Sequence, residues 1–536
     1  MSAHLLPLIV IGAWLMPQCT VGQIPTTCAD DDSLENLRCC PTTIDGVCGE
    51  NANHGQCVPL NIEGYSTNTT NVRDNWPHFY TQVCQCNGNY AGYDCGRCKF
   101  GYYGEDCSQS QVLPRRPIAS YTDEEWEEFI EIIQLLHSHD SGYTVILEET
   151  FPGDSSVLRS NITLYKLYVW LHHYAAKDTD EADVNSRIDY AHFGPSFNTW
   201  HRYFNLWFEW EMQYMLKSIG HADYHTFRLP YWDWRIEIQN STGIRTEDLF
   251  TENRFGATHN VSGFPHVVGD IVGPDGWDTL CSQTNFQLCD PNISTGPLQR
   301  CPFTGTNPCH SSNPDWPTIK QVNDAIAIDT YDSSPYNLLS RPGYRQFIDY
   351  YVDDDLEGCR KDRMCQCLPY GGADCDLSAV PANVSVAAYI GQLHTDAHII
   401  LGLGDFSANT PPDKAGPMSD PVASPNDPAF IIHHTMIDCM FDEWLKHHPG
   451  EEYPDVPLTF STKGHQARSY MIPFYPLYTN ADMFKLAKNF GYYCNLPNVT
   501  TNTANSGANR NAQFTLFCLF TWLSAIFITL GVLYMY

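Results

Sequence analysis

Two groups of histidines stand inside stretches whose apolar residues recur at helical spacing. The first includes the pair His433 and His434, within the apolar run Asn426–His448, and the pair His394 and His398, four residues apart. Side chains at i and i+4 lie on one face of a helix, so His394 and His398 should point the same way. Two surface histidines can have the same spacing, and this pair alone is weak evidence for a site.

The second group lies upstream and repeats the pattern. His172 stands in the apolar stretch Ile162–Ala176, His192 follows in DYAHFGP, and His201 begins the amphipathic segment Asn198–Gly220. An unpaired buried imidazole is costly, whereas facing helices of a four-helix bundle can hold metal ions between their side chains. We therefore expect two metal ions, each bound by one set of three histidines: His172, His192, His201 and His394, His398, His434.

Local signals mark where the helices around these histidines begin and end. Asn426 or Asp427 can cap the helix that carries His434, and Pro449–Gly450 ends it. An earlier helix starts at the capping box Thr122–Glu125 and runs to about His137. The residues therefore predict a mainly α fold in which four helices present the histidines.

The strings AHFGPSFNTWHR, LPYWDWR, NDPAFIIHH and SYMIPFYPLY resemble the tyrosinase family, and the cysteine-rich beginning resembles its animal, melanin-forming branch. The resemblance runs from about Cys28 to Cys494 and breaks in the loops. It implies a four-helix-bundle dicopper catalytic domain with long disulfide-tied loops. It also implies that the first copper ion is bound by His172, His192 and His201, and the second by His394, His398 and His434.

Copper agrees with the residue types, because imidazoles suit copper and the pattern contains no carboxylate or thiolate ligand. The family implies O2-dependent oxidation of monophenols and o-diphenols, such as tyrosine and DOPA, to o-quinones for melanin formation or cross-linking. Ser424, just before the NDP string, is expected to approach the substrate ring, with Ile399 and Ala408 nearby. Thr395 stands where many active tyrosinases have an asparagine that orients a water, which puts monophenol hydroxylation in question.

Residues beside the histidines are expected to support them. His173 and His433 are interpreted as packing residues. Asp438 should orient a histidine or pair with a buried arginine, and Cys439 is interpreted as a buried unpaired thiol. Two charged residues of the segment after His192 are expected in ion pairs: Arg202 and Glu209.

Two other functions use the same histidines. A zinc-holding, tautomerase-like relative could act on melanin intermediates, although Gly391, Gln392 and Leu393 supply no arginine before His394, which favours copper. A non-enzymatic oxygen carrier is the other alternative, and the secretion signals described next argue against it.

Composition places the chain among large globular proteins of the secretory pathway. Its 536 residues are 43% hydrophobic and 13% aromatic, and its net charge of −32 argues against nucleic acid as a partner, because nucleic-acid binding needs a basic face. Residues 1–22 predict a signal peptide, and the 22 cysteines support an oxidising compartment. Seven N-glycosylation sequons agree with this location: Asn68, Asn161, Asn240, Asn260, Asn292, Asn383 and Asn498.

Residues 23–113 form a cysteine-rich module that resembles an EGF-like module of the laminin type. Such a small core needs disulfides, and a zinc knuckle is the alternative. Connectivity cannot be deduced from sequence, but the family resemblance implies five pairs: Cys28–Cys39, Cys40–Cys57, Cys48–Cys84, Cys86–Cys95 and Cys98–Cys107.

The rest of the chain divides into a short linker, Pro114–Pro117, and a catalytic domain over residues 114–495. Residues 236–385 are turn-rich and contain eight cysteines, which predicts disulfide-tied loops. A polar linker, 496–513, precedes the uncharged segment 514–536, which is long enough to span a bilayer. A GPI-attachment signal is the alternative reading of that tail. We therefore expect a membrane-anchored protein whose catalytic domain lies in a melanosome-like organelle or outside the cell.

Overall fold

The computed structural model describes residues 23–60, 73, 76, 80–146, 158–159, 162–176, 189–237, 249, 254–255, 317–334, 336, 343–349, 392–402, 418, 424–459 and 462–496. The predicted signal peptide, the tail 514–536, the seven sequons, Ala408 and the eight cysteines of residues 236–385 lie outside these residues. In the part that is described, no helix is long and apolar enough to cross a membrane.

Apolar spacing and local caps produce helices that match the predicted stretches closely. Helix α2 begins with the predicted capping box, in which Thr122 and Glu125 exchange side-chain and backbone hydrogen bonds. The described helices are α1 Asp31–Glu35, α2 Asp123–Leu136, α3 Leu164–Ala176, α4 Ser196–Ser218, α5 Trp234–Glu237, α6 Ile319–Ile326, α7 Tyr344–Ile348, α8 Gln392–Gly402, α9 Ala429–His447 and α10 Asn480–Met483.

The strands are short and make several small sheets. Strand β1 pairs with β12, which also pairs with β13, and β11 runs parallel to β14. The described strands are β1 Gln23–Pro25, β2 Arg38–Cys39, β3 Thr42–Thr43, β4 Gly46–Val47, β5 Gly55–Pro59, β6 Gln82–Cys86, β7 Tyr90–Ala91, β8 Arg97–Cys98, β9 Tyr102–Tyr103, β10 Gln109–Ser110, β11 Leu113–Arg115, β12 Tyr143–Ile146, β13 Leu158–Arg159 and β14 Tyr492–Cys494.

Helices α4 and α9 pack against each other at the centre of the molecule. Both are buried over most of their surface, as expected for helices that are apolar on several faces. Helix α3 joins them through the ring of Tyr168, whose centroid lies 4.2 Å from that of Phe204 and 3.8 Å from that of Phe208. The complete four-helix bundle, with α8 as its fourth member, stays a prediction.

A buried charge cluster ties α4 and α9 to strands β11 and β14. Asp438 on α9 accepts from Arg115 at 2.6 Å and from Arg202 at 2.5 Å, and Tyr492 also donates to it. Arg115 also pairs with Glu209 at 3.0 Å. The ion-pair roles predicted for Arg202 and Glu209, and the arginine partner predicted for Asp438, are confirmed.

Five disulfides hold the cysteine-rich module, and each joins the pair that the family resemblance implied: Cys28–Cys39, Cys40–Cys57, Cys48–Cys84, Cys86–Cys95 and Cys98–Cys107. A sixth joins Cys439 on α9 to Cys494 on β14. The interpretation of Cys439 as an unpaired thiol is therefore wrong. Strand β14 brings Cys494 against α9, a contact between residues far apart in the sequence.

The predicted linker Pro114–Pro117 is wrong over its first part. Leu113–Arg115 is strand β11, and the side chain of Arg115 is buried in the charge cluster. Nearby, Gly101 and Gly491 pack backbone to backbone, and a Cβ on Gly491 would lie 2.2 Å from the Cα of Gly101. Both glycines have positive φ, so this close approach requires glycine. The cysteine-rich module is thus joined to the rest of the protein by strands, charges and close packing.

Candidate metal centre

The first histidine set forms where α3, the loop before α4, and α4 itself meet. One ring nitrogen from each of His172, His192 and His201 lies within 4.8 Å of the others. The Nε2 atoms of His172 and His201 are 3.4 Å apart. All three side chains are buried, so the sequence prediction that these residues come together is met by the fold.

The second set forms between α8 and α9. His394 and His398 stand one turn apart on α8, and the Nε2 atom of each is 3.1 Å from the Nε2 atom of His434 on α9. All three side chains are buried. The i, i+4 spacing thus places both rings on the face of α8 that meets α9.

The two sets adjoin each other. The rings of His201 and His434 are stacked with centroids 4.6 Å apart and an angle of 27° between their planes. Phe197 and Phe430 pack around this contact: Phe197 contacts His201 and His394, and Phe430 stacks on His434 at 3.8 Å. Aromatic side chains therefore enclose the place where the sets meet.

In three of the imidazoles, the nitrogen that faces away from the set, Nδ1, has a hydrogen-bond partner. Nδ1 of His201 lies 2.8 Å from the carbonyl oxygen of Phe197, and Nδ1 of His398 lies 2.8 Å from that of Met418. Nδ1 of His192 lies 3.1 Å from a carboxylate oxygen of Asp189. A carbonyl or carboxylate accepts, so each Nδ1 carries the proton and each Nε2 keeps a lone pair directed toward its set.

Burial keeps these rings neutral. It lowers the pKa of His201, His394 and His434 well below the ordinary value of 6.5, and neighbouring histidines lower it further. Burial also lowers the pKa of His398 to about 4. Neutral imidazole is the form that binds a metal ion.

The residues fit a metal ion. The Nε2 atoms of His172 and His201, and those of His394 and His398 with His434, lie 3.1–3.4 Å apart, which is close enough for one metal ion to contact the nitrogens of each set. Ligands about 2.0–2.1 Å from one tetrahedral ion are about 3.4 Å apart, which matches these separations. An all-imidazole shell suits copper or zinc.

His433, which the sequence predicts to be a packing residue, lies beside the second set. One of its ring nitrogens lies within 4.8 Å of the ligand atoms of His394, His398 and His434. It is fully buried, and neither ring nitrogen has a hydrogen-bond partner among the described residues. Burial lowers the pKa of His433, and the nearby backbone of His394 acts in the opposite direction. No hydrogen bond in good geometry joins that backbone to the His433 ring. The ring lies parallel to that of His394, which agrees with packing.

Two predicted substrate residues occupy different positions around the second set. Ser424 is buried in the short turn before α9, and its hydroxyl has no hydrogen-bond partner among the residues described. Thr395 is half-buried on α8 beside His394. The side chain of Ile399 lies outside what is described, as does the whole of Ala408.

Two carboxylates near the histidines escaped sequence reasoning. Asp189 accepts from the backbone amides of Ala191 and His192, both at 2.8 Å, as well as facing the His192 ring. The spacing of Asp189 and His192 in DYAH was the available signal. Asp349 accepts from the amide of Phe193 at 2.8 Å, and its other oxygen lies 3.9 Å from Nδ1 of His394. Burial raises the pKa of Asp349 to about 6, and its position was not visible in the sequence.

A third cluster of possible ligand atoms contains Cys40, Cys48 and Cys84. Cys40 is bonded to Cys57, and Cys48 is bonded to Cys84. Disulfides therefore use all three sulfur atoms, and the zinc-knuckle alternative for the module is excluded here.

Comparison with known proteins gives the same family along most of the chain. The description "Common central domain of tyrosinase" matches residues 162–447. The chain is similar to tyrosinase of Gallus gallus, with 31% identity over 89% of this chain and 82% of that protein. It is also similar to 5,6-dihydroxyindole-2-carboxylic acid oxidase of Gallus gallus, with 29% identity over 88% and 82%.

Among solved structures, the chain is similar to a copper-bound active tyrosinase of Aspergillus oryzae, with 14% identity and a TM-score of 0.37 over 80% of this chain and 98% of that chain. The central domain contains every histidine of both sets. The chain therefore belongs to the tyrosinase family and is a tyrosinase-like oxidoreductase.

Proposed function

We propose that this protein uses two copper ions and O2 to oxidise monophenols and o-diphenols, such as tyrosine and DOPA, to o-quinones that feed melanin formation or cross-linking. The first ion is bound by His172, His192 and His201, and the second by His394, His398 and His434. The observation that carries the proposal is the stacked contact of His201 and His434 at 4.6 Å, because it brings two buried metal-binding sets within reach of one O2 molecule.

A pair of copper ions supplies the two electrons that O2 takes up in this chemistry, and the protein supplies geometry and a dry pocket. The Nδ1 contacts of His192, His201 and His398 fix the orientation of each ring. Ligands held in this way lose little freedom when a metal binds. Phe197 and Phe430 exclude water from the side at which the sets meet.

Substrate contact is proposed for Ser424 and Thr395. The hydroxyl of Ser424 is buried without a hydrogen-bond partner among the described residues, and a phenol or catechol oxygen would satisfy it. Thr395 can hold a water through its hydroxyl.

Zinc-dependent rearrangement of melanin intermediates is the second candidate function. The three buried imidazoles of each set allow it, since a catalytic zinc ion is held by three protein ligands and keeps a fourth position open. Metal analysis of the purified protein separates the two functions, because only copper supports O2 consumption with quinone formation.

A secretory location is part of the proposal. Six disulfides among the described residues agree with an oxidising compartment. We propose N-glycans at the seven sequons, a signal peptide over residues 1–22 and an anchor over residues 514–536, with the catalytic domain in a melanosome-like organelle or at the cell surface.

The central experiment assays the purified, copper-loaded protein on tyrosine and DOPA side by side, with metal content measured on the same sample. His201→Ala should abolish DOPA oxidation and remove one of two copper ions, because its set retains only two imidazoles. The matched control is His221→Ala, which changes an exposed histidine outside both sets and should retain full activity. Near-normal turnover by His201→Ala would contradict the ligand assignment.

A further inference from the structure

His465, which neither histidine set includes, lies against the loop that carries His192. Its side chain is buried, and its Nε2 atom lies 3.0 Å from the carbonyl oxygen of Asp189. Its Nδ1 atom lies 2.5 Å from the hydroxyl of Ser196 and 3.3 Å from the Ser196 amide nitrogen. One ring therefore connects Asp189, three residues before His192, to Ser196, the first residue of helix α4.

The hydrogen bonds define the proton on this ring. A carbonyl oxygen only accepts, so Nε2 donates to Asp189, and the bare Nδ1 accepts from the Ser196 amide. The Ser196 hydroxyl has one proton and two acceptors in reach, Nδ1 and the carbonyl of Tyr190 at 2.9 Å. Burial lowers the pKa of His465 to about 4, so the neutral ring needed for this pattern is the stable form.

The loop is shaped around the His465 ring. A Cβ on Gly194 would lie 2.6 Å from a ring carbon of His465, so only glycine allows the ring to pack at this place. The phenol of Tyr453 donates to the carbonyl of His465 at 2.8 Å, which fixes the segment that presents the ring. The contact is thus a packed, hydrogen-bonded closure of the loop from Asp189 to Ser196.

The same loop positions His192 in the first set. Asp189 contacts His465 through its carbonyl, and its carboxylate bonds the amide and the ring of His192. Ser196 begins α4, which carries His201 one and a half turns later. A displacement of either end of this segment would therefore act directly on a histidine of the first set. It would reach the second set less directly, through Phe197 beside His394 and through Asp349 between Phe193 and His394.

We propose that His465 is a positioning residue of the first metal set: it closes the loop from Asp189 to Ser196 and thereby fixes His192 relative to His201. This inference rests on the proposed function, in which that set binds a copper ion. Partners of metal ligands commonly change metal affinity by about 10- to 100-fold when removed, and His465 should act at this scale through Asp189.

The test compares His465→Phe, which keeps a ring but has no nitrogen, with His465→Gln, which retains an N–H donor. Cu²⁺ bound per chain is measured after equilibrium dialysis of the metal-free protein. His465→Phe should weaken one of two sites by about 10- to 100-fold, with a smaller loss in His465→Gln. The matched control is Ser469→Ala, which removes a buried nearby hydroxyl that donates to the Gln466 side chain, and it should bind Cu²⁺ as the wild type does.

Background variants identify which set is affected. In a His434→Ala background, where the first set remains, His465→Phe should still lower Cu²⁺ affinity. In a His201→Ala background, where the second set remains, it should have a much smaller effect. Equal loss in both backgrounds would show a general structural role and contradict the inference, as would unchanged binding in both. If His465→Phe does not fold, Ser196→Ala decides the question, with a smaller loss expected in the first set alone.

The wild type distinguishes this inference from the proposed function. A wild-type chain that takes up no Cu²⁺ contradicts the proposed function, and the inference fails with it. If the wild type binds two ions and both His465→Phe and Ser196→Ala keep its full affinity, the inference alone is contradicted.

Discussion

The outer nitrogens of the histidines differ between the two sets in a way that affects chemistry. His192 faces the carboxylate of Asp189 at 3.1 Å, whereas His398 faces a backbone carbonyl. A carboxylate partner makes an imidazole a stronger electron donor than a neutral carbonyl does. The carboxylate of Asp349 lies 3.9 Å from Nδ1 of His394, beyond hydrogen-bond distance. The first set should therefore bind a metal ion more tightly than the second.

Residue types predicted the six histidines because imidazoles inside apolar helices need partners. His192 illustrates the limit of that reasoning, since the loop that carries it has no helical period. Asp349 and His465 could not be selected at all: each reaches the site from a segment more than 150 residues away in the chain, Asp349 at Phe193 and His465 at Ser196. Such contacts depend on how helices pack, which spacing along one segment does not encode.

Thr395 carries the prediction that belongs to a single side chain. Thr395→Asn should raise the ratio of tyrosine hydroxylation to DOPA oxidation. An asparagine amide is longer and offers its donor and acceptor on separate atoms to a bound water, whereas a threonine hydroxyl offers both on one oxygen. Initial rates on the two substrates, measured on the same copper-loaded preparation, give the ratio. Thr395→Ser is the matched control and should leave it near the wild-type value. An unchanged ratio in Thr395→Asn would remove this residue from the explanation of substrate preference.

At the scale of elements, helix bounds followed from sequence far better than strand pairing did. The predicted helix Asn198–Gly220 is Ser196–Ser218, and the capping box of α2 begins where it was expected. Apolar periodicity and caps are local, so one segment contains the whole signal. Strands β11 and β14 are three residues each and pair across most of the chain. Neither their pairing nor the Cys439–Cys494 disulfide has a local signal.

The Cys439–Cys494 disulfide fixes β14 against α9, the helix that carries His434, and closes a loop with a sequence separation of 55 residues. The chain-entropy model predicts that a disulfide closing a loop of this length stabilises the folded state by about 4 kcal/mol. The double variant Cys439→Ala/Cys494→Ala should therefore unfold at lower denaturant concentration, with the second metal set weakened more than the first. Urea unfolding followed by fluorescence measures the change. An unchanged midpoint would mean that the charge cluster around Asp438 holds β14 in place without the disulfide.

For the whole molecule, the cysteine-rich module and the central domain form a shared structure. Arg97 of the module pairs with Glu211 on α4 at 2.7 Å, and Phe100 packs against Tyr203 and Trp210. Arg73 donates to the carbonyl of Ala175 near the end of α3, where a cation is favoured. The module thus contacts both helices that carry histidines of the first set. These contacts support the two helices that carry His172 and His201.

The buried neutral histidines predict how the stability of the metal-free protein depends on pH. Burial lowers the pKa of His398 and His465 to about 4, against 6.5 in an unfolded chain. Between pH 6.5 and 4 the unfolded state therefore binds more protons, and the free energy of unfolding falls as the pH falls. At pH 5 each such histidine lowers the free energy of unfolding by about 2 kcal/mol. His201, His394 and His434 act in the same direction.

Asp349 acts in the opposite direction, since its raised pKa of about 6 makes the folded state bind a proton that the unfolded state releases. At pH 5 the Asp349 proton adds only about 1 kcal/mol to the free energy of unfolding, so the destabilising effect of the histidines is larger. The melting temperature of the metal-free protein should fall steadily from pH 7 to pH 5. The melting temperature of the Asp349→Asn variant, which lacks the opposing carboxylate, should fall more steeply over the same interval. A melting temperature constant across this range would mean that the histidines are protonated in the folded state, which is incompatible with two buried metal-binding sets.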